Sequence, residues 1–582
     1  MTKTMKKIIS VIVTFVMIMA MGTIALAADG DPKIKIIKND TNDKSAHSYD
    51  IYQVFSAKVD TTDNNKLYDI VWGTGIDSEG ADFYDDLQDV TGFSGCDSAD
   101  KVVAVLTGNE IDPGIVDDFA KFVEAHLKTK AVPTVSLSAT ETEKTVELPT
   151  GMGYYFIKDT ISRPAVDSAV SKFMLKVVNR TTTIDIETKE AVPTLEKKIV
   201  DGANLVDYNE ADVEEEITFQ ITSKVPDLRN KGYNNYWFDI KDTLSQGLTY
   251  IGTSSTNNVP TVTINGTALS ASAIDFTAPT SSSNSFELAI KNFLTYGTNT
   301  NFIGKDIVVT YKAKLNENAN TSDTGNPNTA ELIYSNDPSV DYLGKDKPGT
   351  GDDNVTGKTP PAQTVTYTTG AVVIKQDKDG NSLVGAKFHV AGTSSNSVIV
   401  TKTEFEVSTT GTYYKLLNGT YTETEPTPET TSQYASTTIK YAPVEQDPVI
   451  VSDLNDADTE IEVDEKGYIV LTGLGEGNYT ITETKAPAGY TTDGKVHTLK
   501  ITFAYDATNK VPVWTYEIDG TAATVSAGKQ FVELVVVNKM TSDLPETGGI
   551  GTTVFYVGGS VLVVAGAALI VLKKKKFGSD EK

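Results

Sequence analysis

The stretch DIVVTYKAKL, Asp306 to Leu315, places Ile307, Val309, Tyr311, Ala313 and Leu315 on one side and mostly polar residues on the other. In an extended chain successive side chains point to opposite faces. Such a pattern suits a strand with one face buried and does not suit a helix. ITFQITSKV, Ile217 to Val225, alternates in the same way, and Asn, Asp, Gly and Pro clusters separate segments of this kind. Short alternating strands between turn signals predict a mainly β protein built of sandwiches. One region departs from the pattern. Val116, Phe119, Val123 and Leu127 recur at helical spacing behind Asp112 and Pro113, which suit an N-cap and a first helical position. The spacing predicts one or two helices over about 99–130, inserted into the first domain.

The chain has 582 residues, room for roughly three to five domains. Composition shifts place a first domain at 31–187, a second at 192–342, a polar linker at 343–363 and a third domain at 364–540. Two short matches suggest that the first and third domains share a sandwich type. GYYFIKDT (Gly153 to Thr160) lines up with GNYTITET (Gly477 to Thr484), and LKVVN (Leu175 to Asn179) with LVVVN (Leu534 to Asn538). In each domain the second element reads as the closing strand. The net charge of −27 argues against nucleic acid or an anionic membrane surface as partner. The single cysteine, Cys96, cannot form a disulfide within the chain and reads as a small core or loop residue. An exported protein is free to use disulfides, so this one needs another source of robustness.

Export itself is legible. MTKTMKK is a basic n-region, an apolar run follows, and Ala25-Leu26-Ala27 is a small-x-small cleavage site, which predicts a signal helix at 1–27 removed after Ala27. Ile550 to Leu572 carries no charge and precedes four lysines, Lys573 to Lys576. That run is long enough to span a bilayer as a transmembrane helix, with the lysines held in the cytoplasm. Just before it stands LPETG, with Leu544, Pro545, Thr547 and Gly548 as its fixed positions. The order of motif, apolar span and basic tail over 544–582 resembles the cell-wall sorting signal of Gram-positive surface proteins. The resemblance implies that a sortase cleaves between Thr547 and Gly548 and holds Thr547 as a thioester, which an amine then resolves. Peptidoglycan is the final acceptor in that scheme.

YTITETKAPAGY, Tyr479 to Tyr490, raises a physical problem. Tyr479, Ile481 and Glu483 share one face, so a carboxyl group points into the core. A lone buried carboxyl is costly unless paired or neutralised. Partners are available in the same domain: AVVIKQDKDG puts Lys375 beside Val373 on one face, and FVELVVVNKM puts Asn538 beside Leu534 and Val536. YTITETKAPAGY resembles the E-box of Gram-positive pilins, and IKQDKDGNSLVGAKF the opening of their collagen-adhesin B-type, or CnaB-like, domains. The resemblance implies tandem immunoglobulin-like sandwiches. It also implies an isopeptide bond, in which the Lys375 amine attacks the Asn538 carboxamide, ammonia leaves, and Glu483 shuttles the proton. Burial disfavours charged forms, so Lys375 can be neutral and Glu483 protonated, able to polarise the carbonyl. Folding supplies the proximity.

The second domain offers a similar set. PTLEKKIVDG followed by YWFDIKDTLSQGLTY resembles the CnaA-like second domain of fimbrial proteins. Alternation favours Lys197 over Lys198 and Asp242 over Asp239. NPNTAELIYSND puts Asn328 and Asn336 on one side, and the family pattern favours Asn328. In the first domain Asp159 stands where Glu483 stands and Asn179 where Asn538 stands, while Lys38 shares a face with Ile34 and Ile36 and Lys35 lies close by. That domain either forms a third bond or is a degenerate sandwich without one.

In backbone pilins an exposed lysine ahead of the second domain receives the next subunit's threonine. Here TIDIETKEAVPTLEK offers Lys189, without the Tyr-Pro of the usual motif. The resemblance implies a structural backbone pilin, polymerised head to tail with identical subunits by a sortase and anchored to the wall as a fimbrium. Catalysis is confined to autocatalytic bond formation. The alternative is a monomeric wall-anchored adhesin of the collagen-binder type, or a minor pilin. Loops such as Thr422 to Tyr441 then offer a surface for a host ligand. The sequence shows no phosphate loop and no zinc spacing, so neither cofactor nor metal is expected. The four histidines, His47, His126, His389 and His497, are scattered and read as surface or satisfied polar residues.

Overall fold

A computed structural model describes residues 31–541 apart from 60–66, 108–112, 161–167, 172–173, 179–181, 190, 230, 254–257, 281, 339–355 and 393–395, together with 563. The signal segment, Asp112, Asn179 and the LPETG motif therefore lie outside the described residues, as does the apolar run 550–572 apart from 563. Among the described residues no helix is long and apolar enough to cross a membrane. The chain is mainly β, as the alternation predicts, and its strands form paired sheets around successive cores.

In the first domain Lys33–Ile37 lies between Glu143–Glu147 and Ile184–Glu187. A second sheet runs Leu67–Trp72, His47–Val59, Gly153–Thr160, Met174–Val178, with Val135–Leu137 added to the long second strand. Helices occupy Phe83–Asp89, Ala99–Leu106 and Pro113–Ala125. The first of these falls outside the expected helical stretch. It is only seven residues long and its core contact rests on Phe83 and Leu87, too few positions to show a periodicity. Cys96 is buried in the same aromatic-rich core. Because Phe55, Phe83, Phe93 and Phe119 fill that core, the helices cover one face of the second sheet.

The second domain is a sandwich of two sheets. One holds Glu196–Asp201, Glu216–Lys224 and Asp306–Leu315 side by side, and the other holds Phe238–Leu244 between Asn326–Ser335 and Ser285–Ile290. Ile307, Val309, Tyr311, Ala313 and Leu315 are all buried, which is the inward face read from the sequence. The structure carries this sandwich beyond 342, where the sequence places its end. Ala362–Tyr367 pairs antiparallel with Asn326–Ser335 and parallel with Tyr208–Glu210, and Thr356–Lys358 pairs with the same Asn326–Ser335 strand. The strand AQTVTY, which the sequence divides between the end of the linker and the start of the third domain, closes an open sheet edge of the second.

The third domain opens at Thr369–Asp377, which lies between Tyr468–Leu474 and the final strand Val532–Met540. The opposing sheet contains Lys387–Gly392, Gly477–Lys485, Val496–Asp506 and Val511–Ile518. First and last strands run parallel here, and Lys33–Ile37 likewise runs parallel to Ile184–Glu187 in the first domain. The matched sequences LKVVN and LVVVN are thus not equivalent in topology. Met174–Val178 pairs antiparallel with Gly153–Thr160 in one sheet, whereas Val532–Met540 lies in the sheet opposite Gly477–Lys485. Short apolar repeats report strand character but not pairing partner, which depends on contacts remote in sequence.

The domains are joined by polar contacts. The Tyr334 hydroxyl accepts from Ser168 N at 3.0 Å and donates to Ser168 O at 2.9 Å, between the second domain and the end of the first. At the next joint Asp212 Oδ1 accepts from Gly475 N at 2.7 Å and from the Tyr479 hydroxyl at 2.6 Å, and Glu210 Oε2 accepts from Glu476 N at 2.6 Å.

Candidate cross-linking sites

In the second domain Lys197, Asp242 and Asn328 meet in the dry space between the sheets. Their burial is nearly complete: 2%, 0% and 1% of each residue is exposed. Asp242 and Asn328 lie on neighbouring strands of one sheet, with Asp242 opposite Ala330 and Leu244 opposite Asn328. Lys197 reaches them from the other sheet and forms a buried ion pair with Asp242. Its ammonium also sits over the rings of Phe219 and Tyr311, at 5.4 and 5.3 Å from their centroids. Burial lowers the Lys197 pKa to about 8 against the opposing attraction of Asp242. Burial raises that of Asp242, against Lys197 and Tyr311. Both shifts favour passing the proton from amine to carboxylate, which leaves a nucleophilic amine.

The third domain assembles the same residue types differently. Lys375 and Asn538 are neighbours within one sheet, and Glu483 reaches them from the other. Lys375 Nζ lies 3.4 Å from Glu483 Oε1 and donates to Val536 O at 3.1 Å. Asn538 Nδ2 donates to the same Glu483 Oε1 at 2.7 Å. One carboxylate oxygen therefore touches both the amine and the amide nitrogen. Its other oxygen, Oε2, accepts from Asp493 N at 3.0 Å, which fixes the carboxylate plane. Burial lowers the Lys375 pKa despite the nearby Glu483. The carbonyl oxygens of Asn328 and Asn538 are buried and have no hydrogen-bond partner. This is costly for resting amides but leaves both carbonyl groups unengaged for addition chemistry.

The first domain is arranged otherwise. Asp159 is buried, but its carboxylate accepts from His47 Nδ1 at 2.8 Å and from Ser171 N at 2.8 Å. The other ring nitrogen of His47 bonds Asp43 Oδ2 at 2.9 Å. Lys38 Nζ lies 3.4 Å from Asp43 Oδ1 and donates to Ser45 O at 2.9 Å. Asp43 and His47 thus lie between Lys38 and Asp159. Burial alone would lower the His47 pKa, but the hydrogen bonds to Asp159 and Asp43 outweigh it and raise it to about 10. Asp43 moves down, because His47 and Ser45 outweigh its burial. Lys35 pairs at the surface with Glu143 and Asp185.

Comparisons with known proteins bear on these sites. A prealbumin-like fold domain model, SpaA, matches residues 435–513, and a model of the LPXTG cell wall anchor motif matches residues 536–576. The chain is also similar to the trypsin-resistant surface T6 protein of Streptococcus pyogenes serotype M6, with 25% identity over 415 residues, covering 67% of this chain and 70% of that protein. The chain thus carries an LPXTG cell wall anchor motif. Among solved structures, the chain resembles the T6 backbone pilin of the same serotype at a TM-score of 0.47 and 16% identity, covering 88% of this chain and 94% of that one. It resembles the full-length major pilin SpaD of Corynebacterium diphtheriae at a TM-score of 0.41 and 14% identity, covering 89% and 99%.

Lys189 is exposed, and its backbone N–H donates to Ser171 Oγ at 2.6 Å. Lys198 turns outward to Asp207 at 2.8 Å, whereas Asp239 is buried, as Asp242 is. Asn336 is buried just past the strand Asn326–Ser335, where its backbone carbonyl accepts from Val170 N at 2.6 Å. Leu544, Pro545, Thr547 and Gly548 lie outside the described residues. Sequence reasoning missed three contributors. Tyr311 stands on the inward face, and a tyrosine among Ile, Val and Leu brings a hydroxyl that needs a partner. His47 shares its face with Tyr49 and Ile51, a legible sign of burial. Asp493 acts through its backbone N–H, for which a sequence carries no signal.

Proposed function

We propose that the chain is the backbone subunit of a covalent surface polymer whose second and third domains are cross-linked internally. In each, the lysine amine adds to the asparagine Cγ, the carboxyl residue moves the proton, and ammonia leaves as the isopeptide bond forms. The observation that carries this reading is the Glu483 Oε1 contact with both Lys375 Nζ, at 3.4 Å, and Asn538 Nδ2, at 2.7 Å. A group that must take a proton from the attacking amine and return it to the leaving nitrogen needs that double contact.

On this reading the first domain uses the ionic chain from Lys38 to Asp159 in place of a bond with Asn179. A sortase joins Thr547 of one subunit to Lys189 of the next, and the last subunit to peptidoglycan. The intact mass of the folded mature chain tests the cross-links. Two ammonia losses are expected, mapped to Lys197–Asn328 and Lys375–Asn538, and a full unreacted mass would falsify the proposal. A high-mass ladder in wall extracts tests the polymer.

A second reading, a monomeric adhesin, draws on the excursion of the third domain between Thr403–Val407 and Tyr441–Glu445. That excursion forms its own small sheets and exposes Val407 and Leu417. It predicts wall-anchored monomer and no ladder.

A further inference from the structure

We infer that Tyr311 is a catalytic residue of the second-domain cross-linking reaction, relaying a proton between the attacking amine and the departing nitrogen. The inference rests on the cross-link reading above. The Tyr311 hydroxyl is the point where the other three side chains meet. It accepts from Lys197 Nζ at 2.8 Å and from Asn328 Nδ2 at 2.7 Å, and donates to Asp242 Oδ2 at 3.0 Å. In the third domain one carboxylate oxygen makes both of the corresponding contacts. Asp242 does not: its Oδ2 engages Lys197 and Tyr311, and its Oδ1 has no hydrogen-bond partner. Aspartate is one methylene shorter than glutamate, and here it shares a sheet with the asparagine instead of facing it. The tyrosine spans the gap that the shorter acid leaves.

The step balances as follows. Asp242 takes one proton from the Lys197 ammonium, giving a neutral amine and a carboxylic acid. The amine lone pair adds to Asn328 Cγ, and the carbonyl π pair moves to Oδ1. The adduct then carries a positive Nζ and a negative Oδ1. Nζ passes one proton to Tyr311 Oη as the tyrosine gives its own proton to Nδ2, so the phenol is unchanged overall. The Cγ–Nδ2 bond breaks, ammonia leaves with the electron pair, and the carbonyl re-forms. A phenol suits this relay because it can accept and donate through one oxygen. It is held by ring contacts with Phe219, at 5.4 Å between centroids, and Phe286, at 5.0 Å.

The test uses the whole mature chain. Tyr311→Phe keeps the ring and removes the hydroxyl. A time course of ammonia loss after synthesis, read by intact mass and peptide mapping, follows the two bonds separately. The Lys197–Asn328 bond is expected to form about 100-fold more slowly, the low end of general acid–base effects. The Lys375–Asn538 bond should form at its usual rate. A double variant, Tyr311→Phe with Asp242→Glu, supplies the longer acid and should recover much of the rate, which a purely structural role for the hydroxyl would not produce.

Formation of the second-domain bond at the wild-type rate in Tyr311→Phe overturns the inference. So does a slowed bond matched by an equal loss of second-domain melting temperature when Tyr311→Phe is added to the uncrosslinkable Asn328→Ala chain. Absence of the bond from the wild-type chain is a different result, because it defeats the underlying cross-link reading as well.

Discussion

Lys375 and Asn538 lie on adjacent parallel strands, with Lys375 opposite Val536 and Asp377 opposite Asn538. The two side chains point to the same face, two positions apart, and Glu483 closes the set from across the core. A bond between them would join the first strand of the third domain to the last. Tension along the chain then bypasses the sandwich between them.

Glu483→Gln keeps the side-chain volume and removes the proton shuttle. The variant is expected to retain one ammonia and to melt at lower temperature in the third domain. By analogy with other closures of long loops, losing the link costs about 4–5 kcal/mol. Intact mass with calorimetry checks this, and an unchanged mass with an unchanged transition would refute it.

Protonated His47 braces the first domain between Asp43 and Asp159. Its raised pKa, about 10, contributes stability that is fully present below the ordinary histidine value of about 6.5 and is lost as pH rises through 10. Asp43 has a lowered pKa, so its contribution is present above the ordinary carboxylate range and is lost as pH falls below it. First-domain stability should therefore be highest in mildly acidic solution and decline by a few kcal/mol towards pH 10. Calorimetry across pH measures this. His47→Gln should lower the plateau and flatten the alkaline decline.

Glu210 lies at the joint between the second and third domains with Asp212, Glu215 and Glu476 around it. Burial raises its pKa to about 7, and the neighbouring carboxylates add to the shift. The docked joint favours the neutral acid, so docking should weaken as pH rises from about 4.5 through 7 and stay weakened above. Glu210→Gln still accepts from Glu476 N and should remove that pH dependence, strengthening the joint at neutral pH by up to about 2–3 kcal/mol. Fluorescence energy transfer between labels on the two domains reads the change, and an identical pH profile in the variant would count against it.

Lys189→Ala should abolish the high-mass ladder in wall extracts while leaving both ammonia losses intact. A persistent ladder would move the acceptor role to another lysine, and Lys231 is the next to test. It lines a groove of about 550 Å³ between the first and second domains together with Asp40, Val192 and Pro226.

Strand periodicity is a local property, so the sequence alone determined which side chains face inward. Counting alternate residues turns Lys197, Asp242, Lys375, Glu483 and Asn538 inward, and all five are buried. Partner choice is not local. Only the tertiary structure decided that Glu483 crosses between sheets while Asp242 stays beside Asn328, that His47 captures Asp159, and that Ala362–Tyr367 completes the second sandwich. Each of these depends on which strands, far apart in sequence, pack together. The role given to Tyr311 arises in the same way, from three strands of two sheets bringing their polar ends to one oxygen.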